Sequence, residues 1–163
     1  MIHEVEGDIL LSEAQAIGHG VAANDPMNQG LALSLHERYP AMHKDFHHWC
    51  HQSGAKPGEA WVWGGAEGVR IINLLTQEGG QEAGSKPGKA TEANVNHALR
   101  ALKKIIQQEG FSSLAIPRLA TGVGGLDWAQ VQPLIHNQLG DLDIPIYVYV
   151  TFSAGVKAQE PQS

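Results

Sequence analysis

Cysteine occurs once in the 163 residues. A lone thiol, Cys50, cannot close an internal disulfide, so the fold must be held by its core, and the chain suits a reducing compartment. Positive charge is also scarce. Eleven Lys+Arg stand against seventeen Asp+Glu, a formal net charge of −6, which argues against a broad electrostatic hold on nucleic acid or an anionic membrane. A small anion site built from backbone N–H groups stays open, because it needs no Lys or Arg. No apolar run approaches the roughly 18 residues of a membrane span. The opening residues, Met1-Ile2-His3-Glu4-Val5-Glu6, are acidic and alternating rather than those of a signal peptide, so a cytoplasmic protein is expected.

What is present is a globular composition. Hydrophobic residues make up 42% and charged residues 17%, too apolar and too weakly charged for disorder. The length fits one domain, expected over residues 1–158, with a polar C-terminal tail over 159–163 that should fray.

Read for pattern, the chain alternates strands and helices. Residues 5–11 begin as a strand that Gly7 and Asp8 stop. Residues 16–23 form a short run of small residues, a buried strand approached closely at Gly18 and Gly20. Asn24-Asp25-Pro26 breaks it. The spacing of Leu31, Leu35, Met42, Phe46 and Trp49 predicts two helices parted at Pro40. Residues 60–63 and 69–76 predict a hairpin across a glycine-rich turn. A glycine-rich polar loop fills 77–90, a length more often functional or mobile than neutral. Thr91 caps a helix with Val95, Ala98, Leu99, Leu102, Ile105 and Ile106 on one face, and Gly110 ends it. A strand over 113–116 leads through a glycine-rich turn to a helix capped by Asp127, whose first turn Pro133 should disturb. Residues 144–150 form the last strand. The expectation is an α/β layer fold around a largely buried sheet.

The strongest chemical signal is Ile-Pro-Arg-Leu-Ala-Thr-Gly-Val-Gly-Gly-Leu-Asp-Trp at 116–128. A strand ends, glycines 122, 124 and 125 free the backbone, and a helix opens. Its unpaired N–H groups and partial positive charge suit a phosphate or diphosphate. Local chemistry alone equally allows a connection with no ligand, since neither the Walker lysine loop nor the dinucleotide fingerprint is present. Asp8, after the first strand, can accept from an exocyclic amine such as that of adenine, or simply hold a turn. The loop over 24–30 is a second polar turn after a buried strand, and ligands of open α/β sheets bind at strand ends.

His43, His47 and His51 recur every fourth residue on one helical face, with His48 and Cys50 nearby. Such spacing permits metal chelation. The plainer reading is a solvated face with Phe46 and Trp49 turned inward and Cys50 as a small buried residue. No metal or other cofactor is expected. Lys86, Lys89, Glu78 and Glu82 read as loop solubility or as groups reaching a neighbouring ligand.

Together these pieces resemble the macrodomain family, the ADP-ribose-binding α/β/α module. The likeness runs from Val-Glu-Gly-Asp-Ile at 5–9 through Gly-Leu-Ala-Leu at 30–33, Tyr39-Pro40, Pro-Gly-Glu at 57–59 and Ile-Asn-Leu-Leu-Thr-Gln at 72–77 to the late glycine loop and last strand. That loop is similar to the branch of terminal ADP-ribose glycohydrolases and antitoxins that remove ADP-ribose from DNA. The resemblance implies a single three-layer α/β/α domain with a central mixed sheet. It places Asp8 on the adenine amino group, Ile9 beside the adenine, Ala22 near the distal ribose, and Asn28, Gly30 and Leu31 in the first ligand loop. It wraps Leu119, Ala120, Thr121, Gly122, Val123, Gly124, Gly125 and Leu126 around the diphosphate, with Thr151 or Phe152 closing over the adenine side.

The same resemblance is weaker in its catalytic groups. The branch carries a lysine nucleophile where this chain has Gln77, an amide unable to attack an anomeric carbon. The branch's acidic loop residue falls on Gly124, and the second Asn of other hydrolytic relatives falls on Ala22. Lys86, Lys89, Glu78 and Asp127 are the substitutes to weigh, and none matches a motif, so no catalytic residue is assigned. The expected partner is ADP-ribose or an ADP-ribosylated macromolecule, bound and possibly hydrolysed without a lysine adduct. A phosphatase of ADP-ribose 1″-phosphate, or a non-catalytic scaffold with a metal-binding His-rich helix, are the alternatives.

Overall fold

The computed structural model describes residues 1–65, 68–80 and 85–162. The hairpin turn at Ala66 and Glu67, the loop residues 81–84 with Glu82, and Ser163 of the tail lie outside the described residues. Six strands form one sheet: β1 (Ile2–Gly7), β2 (Ala16–Ala22), β3 (Ala60–Gly64), β4 (Arg70–Gln77), β5 (Leu114–Pro117) and β6 (Ile146–Phe152), with a 3-10 turn at Ile9–Leu11. Their order across the sheet is β1-β6-β5-β2-β4-β3. All neighbours are parallel except the β3–β4 hairpin, where Val62 faces Ile72.

Four helices cover both faces: α1 (Gly30–Arg38), α2 (Pro40–Ser53), α3 (Glu92–Glu109) and α4 (Trp128–Leu139). Strand alternation sorts the side chains between them. Ala16, Ile72, Leu74, Leu114, Ile116, Ile146 and Val148 meet Val95, Leu99 and Leu102 of α3 and Val131, Ile135 and Leu139 of α4. Ile17, Val21, Ile71, Leu75, Ala115, Tyr147 and Tyr149 meet Leu35, Met42 and Phe46 of α1 and α2. The near-continuous burial of β4 follows, since a strand covered on both faces has no solvent side.

The expected punctuation is found at most element ends. Thr91 caps α3 through its side chain, accepting from the Asn94 N–H, and Gly110 ends it in a left-handed turn. Pro40 occupies the first turn of α2, where its missing N–H costs nothing. The predicted disturbance at Pro133 does not occur. Asp127 and Gln130 close a capping box, and the helix runs through the proline, which forgoes one bond within it.

The tail also differs from expectation. Glu160 accepts from Ser12 Oγ at 2.6 Å, Glu13 N at 3.0 Å and Tyr149 Oη at 2.6 Å, and Tyr147 Oη donates to the Pro161 carbonyl. The tail is docked rather than frayed because one carboxylate satisfies three donors, from the segment before β2 and from Tyr149 on β6. Burial and the Glu160 carboxylate raise the Tyr149 phenol far above its ordinary value.

Topology positions the site. After β2 the chain leaves towards β4, and after β5 it leaves towards β6, on opposite sides. Loops that depart in opposite directions from adjacent parallel strands leave a crevice at their carboxyl ends.

Candidate functional site

That crevice is a cleft of about 490 Å³. The loop after β2 contributes Asp25 and Gln29 to its wall and the first turn of α1 adds Gly30, Leu31 and Ala32, while the loop after β5 contributes Arg118, Leu119, Ala120, Gly122, Val123 and Gly124. His19 and Gly20 form the floor, with Gln77 and Pro87 at one end. Beside it lies a more apolar compartment of about 410 Å³ lined by Gly7, Ile9, Leu10, Ser34, Tyr149 and Phe152. The two share Gly30, Leu31 and Pro117, so they are halves of one groove. Phe152 is 67% exposed, unusual for a ring that size, and stands at the mouth of the apolar half.

The glycine loop is built around a strained residue. Ala120 has φ +63, a left-handed conformation unfavourable for a side chain bearing Cβ. Leu126 N donates to the Ala120 carbonyl and Gly125 N to the Gly122 carbonyl, both at 3.0 Å, which folds the loop onto itself. Thr121 Oγ1 donates to the Arg118 carbonyl. The N–H groups of Thr121 to Gly124 have no hydrogen-bond partner among the described residues. Gly124 sits so tightly that a Cβ would come within 2.7 Å of the Ala120 oxygen, whereas nothing lies within 4 Å of a Cβ on Gly122. Arg118 supplies the cleft's one guanidinium and rests over the Trp128 ring, 5.8 Å from its centroid.

The opposite wall depends on Asp25. This side chain is 6% exposed, and its carboxylate accepts from Met27 N at 2.8 Å and Ala22 N at 3.0 Å. These bonds hold a turn in which Asn24 and Met27 both take positive φ. Under the cleft, His19 on β2 faces Asn73 on β4. The His19 Nε2 to Asn73 Oδ1 distance is 2.6 Å. With that oxygen accepting, Nε2 carries the proton and Nδ1 is the bare nitrogen, which together with Asn73 Nδ2 is buried without a partner. Burial lowers the His19 pKa, outweighing the opposing pull of Asn73 and Asp25, so the imidazole is neutral.

The positions expected from the sequence divide into groups. Gly30, Leu31, Leu119, Ala120, Gly122, Val123 and Gly124 line the larger half, and Ile9 and Phe152 the apolar half. Asp8 is buried behind Ile9, accepting from Leu10 N and Gly155 N. Thr121, Gly125 and Leu126 complete the loop without forming its inner wall, and Asn28 is exposed outside it. Ala22 is fully buried under the loop that follows β4. A Cβ on Gly79 would lie 2.5 Å from the Ala23 oxygen, and Asn24 Nδ2 donates to the Gly80 carbonyl.

Three of the four weighed catalytic substitutes are engaged elsewhere. Lys89 Nζ lies against Gly125, 3.2 Å from the position of a Cβ there. Glu78 accepts from Asn94, and Asp127 caps α4. Gln77 does line the cleft, but its amide donates to the Gly88 carbonyl. Sequence reasoning missed His19, Asp25 and Arg118 as cleft residues. Their signal was present: a histidine inside a small-residue strand, and the residues just beyond strand ends.

Among the described residues, no three His, Cys, Asp or Glu side chains are placed to hold a metal ion. The His-rich face is not simply solvated either. His48 and His51 are exposed, but His43 and His47 are half-buried.

The family model described as "Macro domain" matches residues 19–135, from the cleft floor through the glycine loop into α4. The chain belongs to the macro domain family. A DNA ADP-ribosyl glycohydrolase of Mycobacterium tuberculosis is 31% identical over 153 residues, covering 90% of this chain and 42% of that protein. The human ADP-ribose glycohydrolase OARD1 is 25% identical over 146 residues, covering 89% of this chain and 88% of that protein. Among solved structures, the macrodomain of Thermus aquaticus DarG superposes with a TM-score of 0.81 at 25% identity, covering 92% of this chain and 98% of that one. This macro domain therefore corresponds to about 42% of the length of the first curated relative it matches.

Proposed function

We propose that this macro domain binds ADP-ribose, free or attached to a macromolecule. One observation carries the reading: a two-part groove in which one half is lined by a glycine loop whose N–H groups have no partner among the described residues, while the other half is apolar with Phe152 at its mouth. A diphosphate needs donors and close backbone approach, and a loop with Gly122 and Gly124 supplies both without net positive charge. An adenine needs a flat apolar slot, and Ile9 and Phe152 supply it. Asp8, one layer behind, is the carboxylate nearest in sequence to that slot, and Asn28, Gly30 and Leu31 belong to the facing loop. Arg118 stands at the rim as the countercharge.

The geometry supports binding over turnover. Gln77 stands where the resembling branch carries its lysine nucleophile, and Lys89 lies against Gly125. Asp25 already spends one oxygen on each of two backbone donors, so it is not a free base. The bare Nδ1 of His19 is buried beneath the cleft floor, so it is not placed to act as a base on a ligand hydroxyl.

The adenine placement is tested with Asp8→Ala. Affinity for ADP-ribose should fall about tenfold, the effect of one charge-assisted hydrogen bond, while affinity for ribose 5-phosphate, which has no base, stays within about twofold. Equal losses for both would reduce Asp8 to a turn residue.

A further inference from the structure

We propose that three packed imidazoles on α1 and α2 sense pH and transmit it to the ligand cleft, weakening ADP-ribose binding as the solution turns acidic. The occupant of the cleft rests on the reading above, but the coupling itself concerns the loop and stands without a ligand.

The geometry is that of a clasp. The rings of His36 and His43 stack with centroids 3.8 Å apart, and His43 and His47 lie 4.2 Å apart. Each outer ring holds the turn that forms one wall of the cleft. His36 Nδ1 donates to the Met27 carbonyl at 3.2 Å, and His47 Nε2 donates to the Asp25 carbonyl at 2.7 Å. Because carbonyls only accept, those two ring nitrogens are the donors. The central ring is placed worst for charge. Its Nε2 is buried and makes no hydrogen bond.

Three titratable groups act on His43: His36 from α1, His47 from its own helix, and Asp25 from the turn. Burial is the largest influence and the two imidazoles add to it. They outweigh the Asp25 backbone carbonyl and, after it, the Asp25 carboxylate, and hold His43 below the ordinary histidine value of 6.5.

The sign follows from linkage. A histidine whose pKa is lowered in the clasped state favours that state fully above the ordinary value, and loses this contribution as pH falls below it. Protonation of His43 then places an unpartnered charge between the two outer rings, and that charge is relieved when the rings part and the outer ones leave the Asp25 and Met27 carbonyls. The same turn carries the Asp25, Gln29 and Gly30 wall, and Met27 at φ +51 holds strain that release would relieve. The phosphates of ADP-ribose keep their charge through this range, so the change belongs to the protein.

The test compares the wild type with His43→Leu, which keeps bulk between the rings but cannot titrate, and His43→Gln as a second non-titrating variant. ADP-ribose affinity of the wild type should weaken about fivefold to tenfold between pH 7.5 and 5.5, as one linked proton allows. Both variants should change by less than about twofold, leaving only the part owed to His19. In ligand-free protein, amide exchange over residues 25–31, corrected for intrinsic pH dependence, should speed up at pH 5.5 in the wild type alone. Unchanged protection, or the same pH slope in the variants, would overturn the clasp. Loop loosening in protein that binds no ADP-ribose at any pH would sustain the clasp and reject the occupant.

Discussion

Gly122→Glu should abolish measurable ADP-ribose binding, with at least about a 100-fold loss of affinity, while the melting temperature stays within a few degrees. The asymmetry comes from where Gly122 sits. It lines the cleft, yet nothing lies within 4 Å of a Cβ built on it, so the new side chain meets no protein atom at its base. What it meets is the proposed diphosphate. A carboxylate there opposes two phosphate charges at short range in a partly enclosed cleft, where screening is weak, and its bulk fills the space the phosphates need. Gly124→Val is the contrasting variant. Its Cβ would fall 2.7 Å from the Ala120 oxygen and 3.0 Å from the Ala90 side chain, so it should lose stability as well as binding. Retained affinity in Gly122→Glu would show that the loop does not carry the ligand's charge.

Asp25→Ala should cost about 3 kcal/mol of stability, since it removes both charge-assisted bonds from a buried turn and strands the Ala22 and Met27 N–H groups. For a domain this size that corresponds to a melting temperature lowered by about 6–12 °C. Asn24 and Met27 hold positive φ only while the turn is fixed, so the wall carrying Gln29 and Gly30 should shift and ADP-ribose affinity should fall about tenfold. Asp25→Asn separates charge from shape. It keeps one acceptor and points an NH2 group at a backbone N–H, so its loss should lie between wild type and Ala. Urea denaturation measures both, and an Ala variant within about 1 kcal/mol of wild type would show that the turn stands without the carboxylate.

Much of this is legible in the sequence. Helix ends declared themselves because they depend on one or two local residues: Thr91 and Gly110 around α3, Pro40 between α1 and α2, Asp127 before α4. The groove's backbone wall was legible for the same reason, as Gly122 and Gly124 are a local requirement of the turn. What escaped depends on the chain meeting itself. Asp25 reads as a strand breaker until its carboxylate is seen to receive Ala22 and Met27. His19 is an ordinary polar residue in a strand until Asn73, 54 residues on, becomes its neighbour. Ala22 was placed at the ligand by resemblance, but Gly79 and Gly80 cross over it, and no local pattern announces where a loop returns. Likewise the tail looks free in sequence, and only the distant Ser12 and Tyr149 show why Glu160 is held.

The central claim is that the groove is an ADP-ribose site. Calorimetric titration of ADP-ribose into metal-free protein at pH 7.5, with AMP as the comparison, tests it most directly. The account predicts a single site with ADP-ribose bound more tightly than AMP, because AMP reaches the apolar half and only part of the glycine loop. No heat with ADP-ribose, or equal affinity for both, would contradict it.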